Sequence, residues 1–522
     1  MRNLLETIYG NFKSLARKYL GWALYIFLST YSVINIGSIR YGSPDDLSIA
    51  SIQFSEGNSL ESALIAAEAT GRIQQIPFYI INRFALLEEP VFLTQSIKLI
   101  SAILIFLLYL FLIKSIYTPR VALVASLILL GTLSVSGEFN AINSFPLWFS
   151  LGIITFLGSC LMIVSYLKNK KSIYLVIAVI LFIISLFSSE VFFLLVLTFP
   201  AIHWKVSDSQ GKSLKIFELK IFYSLIISIL VMYFSIYQWF KYVSGGNYEG
   251  TVFTFSNPIK SIAATFALSL GQVNIYGLKR QFQEESSPIN FLFLITFMLF
   301  LWILLKEVRN IRSKQLEVRG SEIITIGFLA LLGNLLLGFT IKYSEVGLIY
   351  PLYLQSLISY LFLCLGLTLF LMRINTEFAT SIVIIISIFS YFSYTDQSNE
   401  YSKLRANQNV FKVVDCFTKN PEILTYLRKD IVSNDIAVMS KAYGYNYFGE
   451  KMKSKTGKNY SFFRDKTVNL QQIKISEIEV NLGQKSANGL ITNFDSNKAV
   501  DLMSYSLLYQ DCKFDLNYLT VN

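Results

Sequence analysis

The feature that most constrains this chain is a series of long stretches without a charged residue. The run 172–187 reads SIYLVIAVILFIISLF, and similar runs recur as far as Tyr394. A hydrocarbon core takes about 20 mostly apolar residues to cross as a helix. Candidate spans lie near 20–37, 93–113, 120–136, 146–166, 173–188, 190–203, 221–240, 288–305, 321–341, 350–371 and 378–394. The junction at Ser188–Glu190 is tight and the segment after it short, so that pair reads either as two spans or as one broken pair. Charged residues make up 15 % of the 522 residues, hydrophobic ones 53 %, and mean hydropathy is +0.51. Soluble domains carry about 25 % charge. The deficit excludes a disordered chain, a nucleic-acid binder of ordinary composition and a disulfide-rich secreted scaffold.

The remaining charge is sorted. With the N-terminus placed in the cytoplasm, inside segments hold Arg2, Lys13, Arg17 and Lys18, then Lys114 and Arg120, Lys168, Lys170 and Lys171, Lys205, Lys212 and Lys215, a cluster from Lys306 to Arg319, and Arg373. Outer loops hold fewer cations over more residues, among them Arg40, Arg72, Arg83, Lys241, Lys260, Lys279, Arg280 and Lys342. The alternation follows the positive-inside rule, and the net charge of +11 reads as a topology label. The polar start is too long for a signal n-region and no small-residue cleavage site follows, so the first apolar run reads as a retained span.

Two domains follow from this: a helical membrane domain, 1–394, with long outer loops 38–91 and 241–287, and a soluble tail, 395–522, on the outer side. In the first loop, SLESALIAAEATGR reads as an interfacial helix with Leu60, Ala63, Leu64 and Ala67 on one face, ended by Gly71-Arg72. In the second, NPIKSIAATFALSLGQVNIYGL is nearly long enough to span, which would invert everything after it; the charge rule argues for a surface segment. The tail reads as α/β, with helices over 409–420 and 421–430 and strands over 435–440, 472–480 and 489–494. Its cysteines, Cys416 and Cys512, either pair on an oxidising face or stay free, and spacing leaves both open.

The residues able to carry chemistry lie mostly outside. Asp45 and Asp46 open the first outer loop after Ser43-Pro44. They read as a helix N-terminus, or as a base at the lipid–water boundary with a second carboxylate that orients an acceptor, holds a metal or raises its neighbour's pKa. Arg72 and Arg83 are natural forks for a phosphate, though outer-surface arginines also meet lipid headgroups. Glu138 lies in the next outer turn and Glu190 at a span boundary among apolar residues, where a carboxylate is costly. Lys342 ends a later span on the same side, as a phosphate partner or as an interface anchor. The single histidine, His203, reads as an interfacial side chain, and with no other histidine a His-rich zinc site is excluded.

A multi-span chain whose first outer loop opens with Asp45-Asp46, followed by Gly71-Arg72, resembles the GT-C superfamily of polyprenyl-phosphate-sugar-dependent glycosyltransferases. It is most similar to the branch of bacterial O-antigen serotype-converting glucosyltransferases. The resemblance implies a GT-C-like inner-membrane enzyme that takes a sugar, such as glucose, from undecaprenyl phosphate to a glycan or glycolipid acceptor outside, with inversion. It implies Asp45 or Asp46 as the base and Arg72 at the departing phosphate. From the residues themselves, Arg83, Lys279, Arg280 and Lys342 are the further outer-side cations for the phosphate, Glu138 is a candidate to join the aspartates around the acceptor or a metal, and Glu190 is an auxiliary candidate. A divalent cation, if one takes part, falls to Asp45 and Asp46. The partners implied are the bilayer, the lipid-linked sugar and the acceptor, with no nucleic acid. A lipid-linked glycan flippase or an O-antigen polymerase or ligase are the alternatives. A carrier calls for charge near mid-membrane; the spans here are notably free of it, and the chief exception, Lys98, lies near the outer end of its span.

Overall fold

The computed structural model describes most of residues 2–395, with breaks at 40–58, 74–75, 87–90, 134–139, 146, 210–218, 246–248, 250–251, 271–290, 314–317 and 350–355. In the tail it describes 436–439 and 460–463. The chain divides into two compact units: Met1–Gly37, Ala63–Asn82 and Ser96–Ser398 form the first, and Ser38–Ser62, Arg83–Gln95 and Asn399–Asn522 the second.

The described residues of the first stretch are helical: α1 (Arg2–Ser38), α2 (Ser59–Thr70), α3 (Ile76–Ala85), α4 (Val91–Ile116), α5 (Pro119–Thr132), α6 (Trp148–Asn169), α7 (Ile173–Ser188), α8 (Val191–Leu195), α9 (Thr198–Ser209), α10 (Lys220–Ser244), α11 (Pro258–Ser269), α12 (Phe291–Arg312), α13 (Gly320–Gly338), α14 (Ile341–Ile349), α15 (Ser356–Arg373) and α16 (Thr376–Thr395). Eight helical segments among them are long and apolar enough to cross a membrane, with α8 and α9 together making one, Val191–Asp208. This is an α-helical, multi-pass membrane protein by helix length and composition. Eleven spans were expected. Of the other three, Pro119–Thr132 has 14 residues and Ile173–Ser188 has 16. A 14-residue helix is about 21 Å long, short of a core of about 30 Å. Phe291–Arg312 is long enough but carries Lys306, Glu307, Arg309 and Arg312 towards its end. Of the ambiguous segment 257–278, the described part is α11, whose 12 residues reach about 18 Å; 271–278 lie outside the described residues.

Local chemistry sets the ends. Thr118 caps α5, its hydroxyl accepting from the Val121 N–H at 3.4 Å, with Pro119 at the first helical position. Asn257 does the same for α11, accepting from Lys260 N–H at 3.0 Å. At α13 the Glu322 carboxylate reaches back to the Arg319 backbone N–H at 3.5 Å.

Two helices show how differently the sequence is used. Every residue of α5 from Val121 to Thr132 is buried, packed against α12 and α15. By contrast α10 has only 22 % of its apolar stretch covered and presents Ile221, Val231, Phe234 and Trp239 outward. Such a face suits a helix set against lipid. Small residues bring the inner helices together: a Cβ on Gly338 would stand 2.8 Å from the Ser261 carbonyl of α11. On α2 the buried residues are Ala63 and Ala67, whereas Leu60 and Leu64 are exposed, so the expected common apolar face is divided.

In the second unit β1 (Ile436–Met439) pairs in parallel with β2 (Tyr460–Phe463), Ile436 opposite Tyr460. The first lies within the expected strand 435–440; the second was not expected. The other expected tail helices and strands, with Cys416 and Cys512, lie outside the described residues.

Candidate functional site

The site is built at the end of α2. The Arg72 N–H donates to the Ala67 carbonyl at 2.9 Å and the Gly71 N–H to the Glu68 carbonyl at 3.3 Å. This pair of bonds is the Schellman termination, which needs a left-handed residue at the penultimate position. Gly71 supplies it, with φ +69. A side chain there would be strained by the backbone and would also press on Lys241, whose Cγ lies 3.2 Å from the position of a Cβ. The Gly-Arg step therefore does two things: it turns the chain out of the helix and lets the stem of Lys241 pack against the turn.

Arg72 leaves this turn with its Nε 2.9 Å from the Glu190 Oε1. Both side chains are largely buried, 13 % and 20 % exposed. Glu190 sits in the joint between α7 and α8, where the Ser189 hydroxyl accepts from the Val191 N–H at 3.4 Å and the Glu190 carbonyl from the Phe193 N–H at 3.0 Å. The joint is braced by Trp148, whose Nε1 donates to the Ser188 carbonyl at 2.8 Å. Trp148 stacks on Phe149 and takes the edge of Tyr79. Lys241, in the last turn of α10, interacts electrostatically with both Arg72 and Glu190. Among the described residues, these two cations and one carboxylate sum to a charge of +1.

A buried polar shelf belongs to the same unit. Asn82 is fully buried; its Oδ1 accepts from the Leu147 N–H at 3.2 Å and its Nδ2 has no partner among the described residues. Asn140 closes the adjoining turn, its Oδ1 accepting from the Ile142 N–H at 2.9 Å. A largely buried cluster with two cations is suited to an anion such as a phosphate.

Of the residues singled out by sequence, Arg72 and Glu190 are brought together. Lys342 stands on α14 over the Tyr343 ring, 5.5 Å from its centroid, in a layer where Lys260 pairs with Glu345 of the same helix. Arg83 occupies the last turn of α3 and belongs to the second unit. Asp45, Asp46 and Glu138 lie outside the described residues. Among the described residues no three His, Cys, Asp or Glu side chains gather to hold a metal. Lys241, Asn82 and Trp148 were not anticipated as members of the site. Lys241 carried a readable signal, a cation four residues before Gly245 at the end of a span, but it serves equally as a topology charge. Comparison with protein-family models and with characterised proteins returns no match.

Proposed function

We propose that this chain is an integral-membrane glycosyltransferase of GT-C type. It moves a sugar, such as glucose, from undecaprenyl phosphate to a glycan or glycolipid acceptor at the outer face of the bacterial inner membrane. The observation that carries the reading is the Arg72–Glu190 pair with Lys241 beside it. Inverting transfer from a lipid phosphate needs one base on the acceptor hydroxyl and cations on the leaving group. In this reading Asp45 or Asp46 is the base. The acceptor oxygen attacks the anomeric carbon, its proton passes to the carboxylate, and the C–O bond to the phosphate breaks. Arg72 and Lys241 receive the charge that develops on the phosphate. Glu190 fixes the guanidinium through Nε, so the fork is oriented before the donor arrives.

The topology that accompanies this counts α5, α7 and α12 with the eight longer spans, places the N-terminus inside and leaves the tail outside as an α/β domain. A helix enclosed by other helices, as α5 is, need not reach both surfaces itself. A reporter fused after Ser402 is expected outside. Purified protein in vesicles with a polyprenyl-phosphate sugar and an envelope glycan acceptor tests the chemistry: Asp45→Asn or Asp46→Asn abolishes transfer while donor binding remains. Full activity in both variants removes the assignment.

A flippase for a lipid-linked glycan is the second reading. It draws support from Lys98, a completely buried lysine in α4. Movement of labelled lipid across the bilayer without any glycosyl transfer would favour it.

A further inference from the structure

A cleft in the first unit, separate from the Arg72 corner, is walled by α4, α6, α9, α13 and α15. Its lining is almost wholly aliphatic and aromatic. From α9 it takes Thr198, Ala201, Ile202 and Lys205, which share one helical face, and Trp204 at its edge. Lys205 is neutralised there: its Nζ lies 2.7 Å from the Glu322 Oε1 and 5.1 Å from the centre of the Tyr117 ring. The Tyr117 hydroxyl donates to the Glu322 Oε2 at 3.4 Å. Charge at this end of the cleft therefore cancels.

Thr198 is different. It is 2 % exposed, and its hydroxyl has no partner among the described residues. Elsewhere in these helices a hydroxyl donates to the carbonyl four residues back, as Ser29 does to Tyr25, Thr155 to Leu151 and Thr368 to Cys364. Thr198 starts α9 just after the break from α8, and the carbonyl four back, that of Leu194, takes the Leu197 N–H instead. The break leaves one hydroxyl unanswered inside an apolar cleft. A buried polar group in that state is costly unless a ligand meets it.

We propose that this cleft binds an uncharged single-chain amphiphile bearing a hydroxyl, a long-chain alcohol in the simplest form. The Thr198 Oγ1 pairs with its hydroxyl, and the aliphatic walls take the carbons next to it, because the enclosed space of about 60 Å³ admits only the head end of the chain. An anionic head is disfavoured because Lys205 is already matched by Glu322, itself 3 % exposed. This inference does not depend on glycosyl transfer. The test uses the full chain in detergent with a photoreactive long-chain alcohol. Crosslinks are expected on peptides of α9 and α13. Excess unlabelled alcohol displaces the probe, and the carboxylate of equal length does not. Thr198→Val, which keeps the shape and removes the hydroxyl, lowers labelling by about fivefold, the loss of one neutral hydrogen bond. It leaves ligand-free thermal stability unchanged or higher. Leu329→Trp fills the cleft and abolishes labelling, and Leu361→Phe serves where the tryptophan variant does not fold. Labelling unchanged in Thr198→Val, or displaced equally by the carboxylate, overturns the proposal.

Discussion

Glu190 and Glu322 are both carboxylates gripped by a cation, at opposite ends of the segment Val191–Asp208 and its flanks. Glu322 is closed in: Lys205, the Tyr117 hydroxyl and the Arg319 backbone N–H all converge on it. Its charge is spent on holding α13 to α9 and α4. Glu190 meets Arg72 through one edge of the guanidinium, on a glycine turn, with a second cation beside the pair. Among the described residues one cluster sums to zero and the other to +1. Similar pairwise distances, 2.7 and 2.9 Å, thus serve different ends, and it is the surrounding charge balance that separates an ion pair that fastens helices from one that can receive an anion.

The sharpest way to break this comparison is to remove each cation in turn. Arg72→Ala is expected to reduce transfer by about 10²–10³-fold, the scale of losing one donor to a developing anion, with the thermal midpoint little changed. Equal activity in this variant would place the anion elsewhere. Glu322→Ala is expected to do the reverse, costing about 3 kcal/mol of stability because Lys205 is left buried and unmatched, while activity per folded molecule is retained; thermal unfolding in detergent with a parallel activity assay reads both. Gly71→Ala is expected to cost about 1 kcal/mol from its backbone angle. It should also raise the KM for the lipid donor by displacing Arg72 and Lys241, so a kinetic effect without a stability effect would refute the turn's role. The smallest change is expected for Thr118→Ala at the α5 cap, about 1 kcal/mol or less in stability and none in donor affinity.

Eight of the expected spans were legible because a membrane admits few charges, so uncharged runs such as 356–371 announce themselves; the run 172–187 is as apolar but forms a helix of only 16 residues. The end of α2 was legible too, since Gly71-Arg72 has the residue that a left-handed cap wants. The packing faces were not. In lipid an exposed leucine is as stable as a buried one, so Leu60 and Leu64 gave no sign that Ala63 and Ala67 form the contact; small size marks a membrane interface better than hydrophobicity does. The Arg72–Glu190 pair was not legible either. Each residue was noted for its own cost or chemistry, but one follows the end of α2 and the other sits in the joint before α8, and no local pattern joins elements so far apart. Trp148 and Asn82 were hidden for a related reason, since aromatic residues and amides are common near membrane surfaces for many reasons.

The thinly covered helix α10 has a further consequence. Its 25 residues extend about 38 Å, more than a hydrocarbon core of about 30 Å, and few of its side chains fasten it to the bundle. A helix longer than its slab answers by leaning, and the lean follows the thickness of the slab. Lys241 rides on the last turn of that helix. Acyl-chain length thereby becomes a variable of the charged corner: thinner bilayers tip the lever that carries the second cation, and thicker ones set it upright.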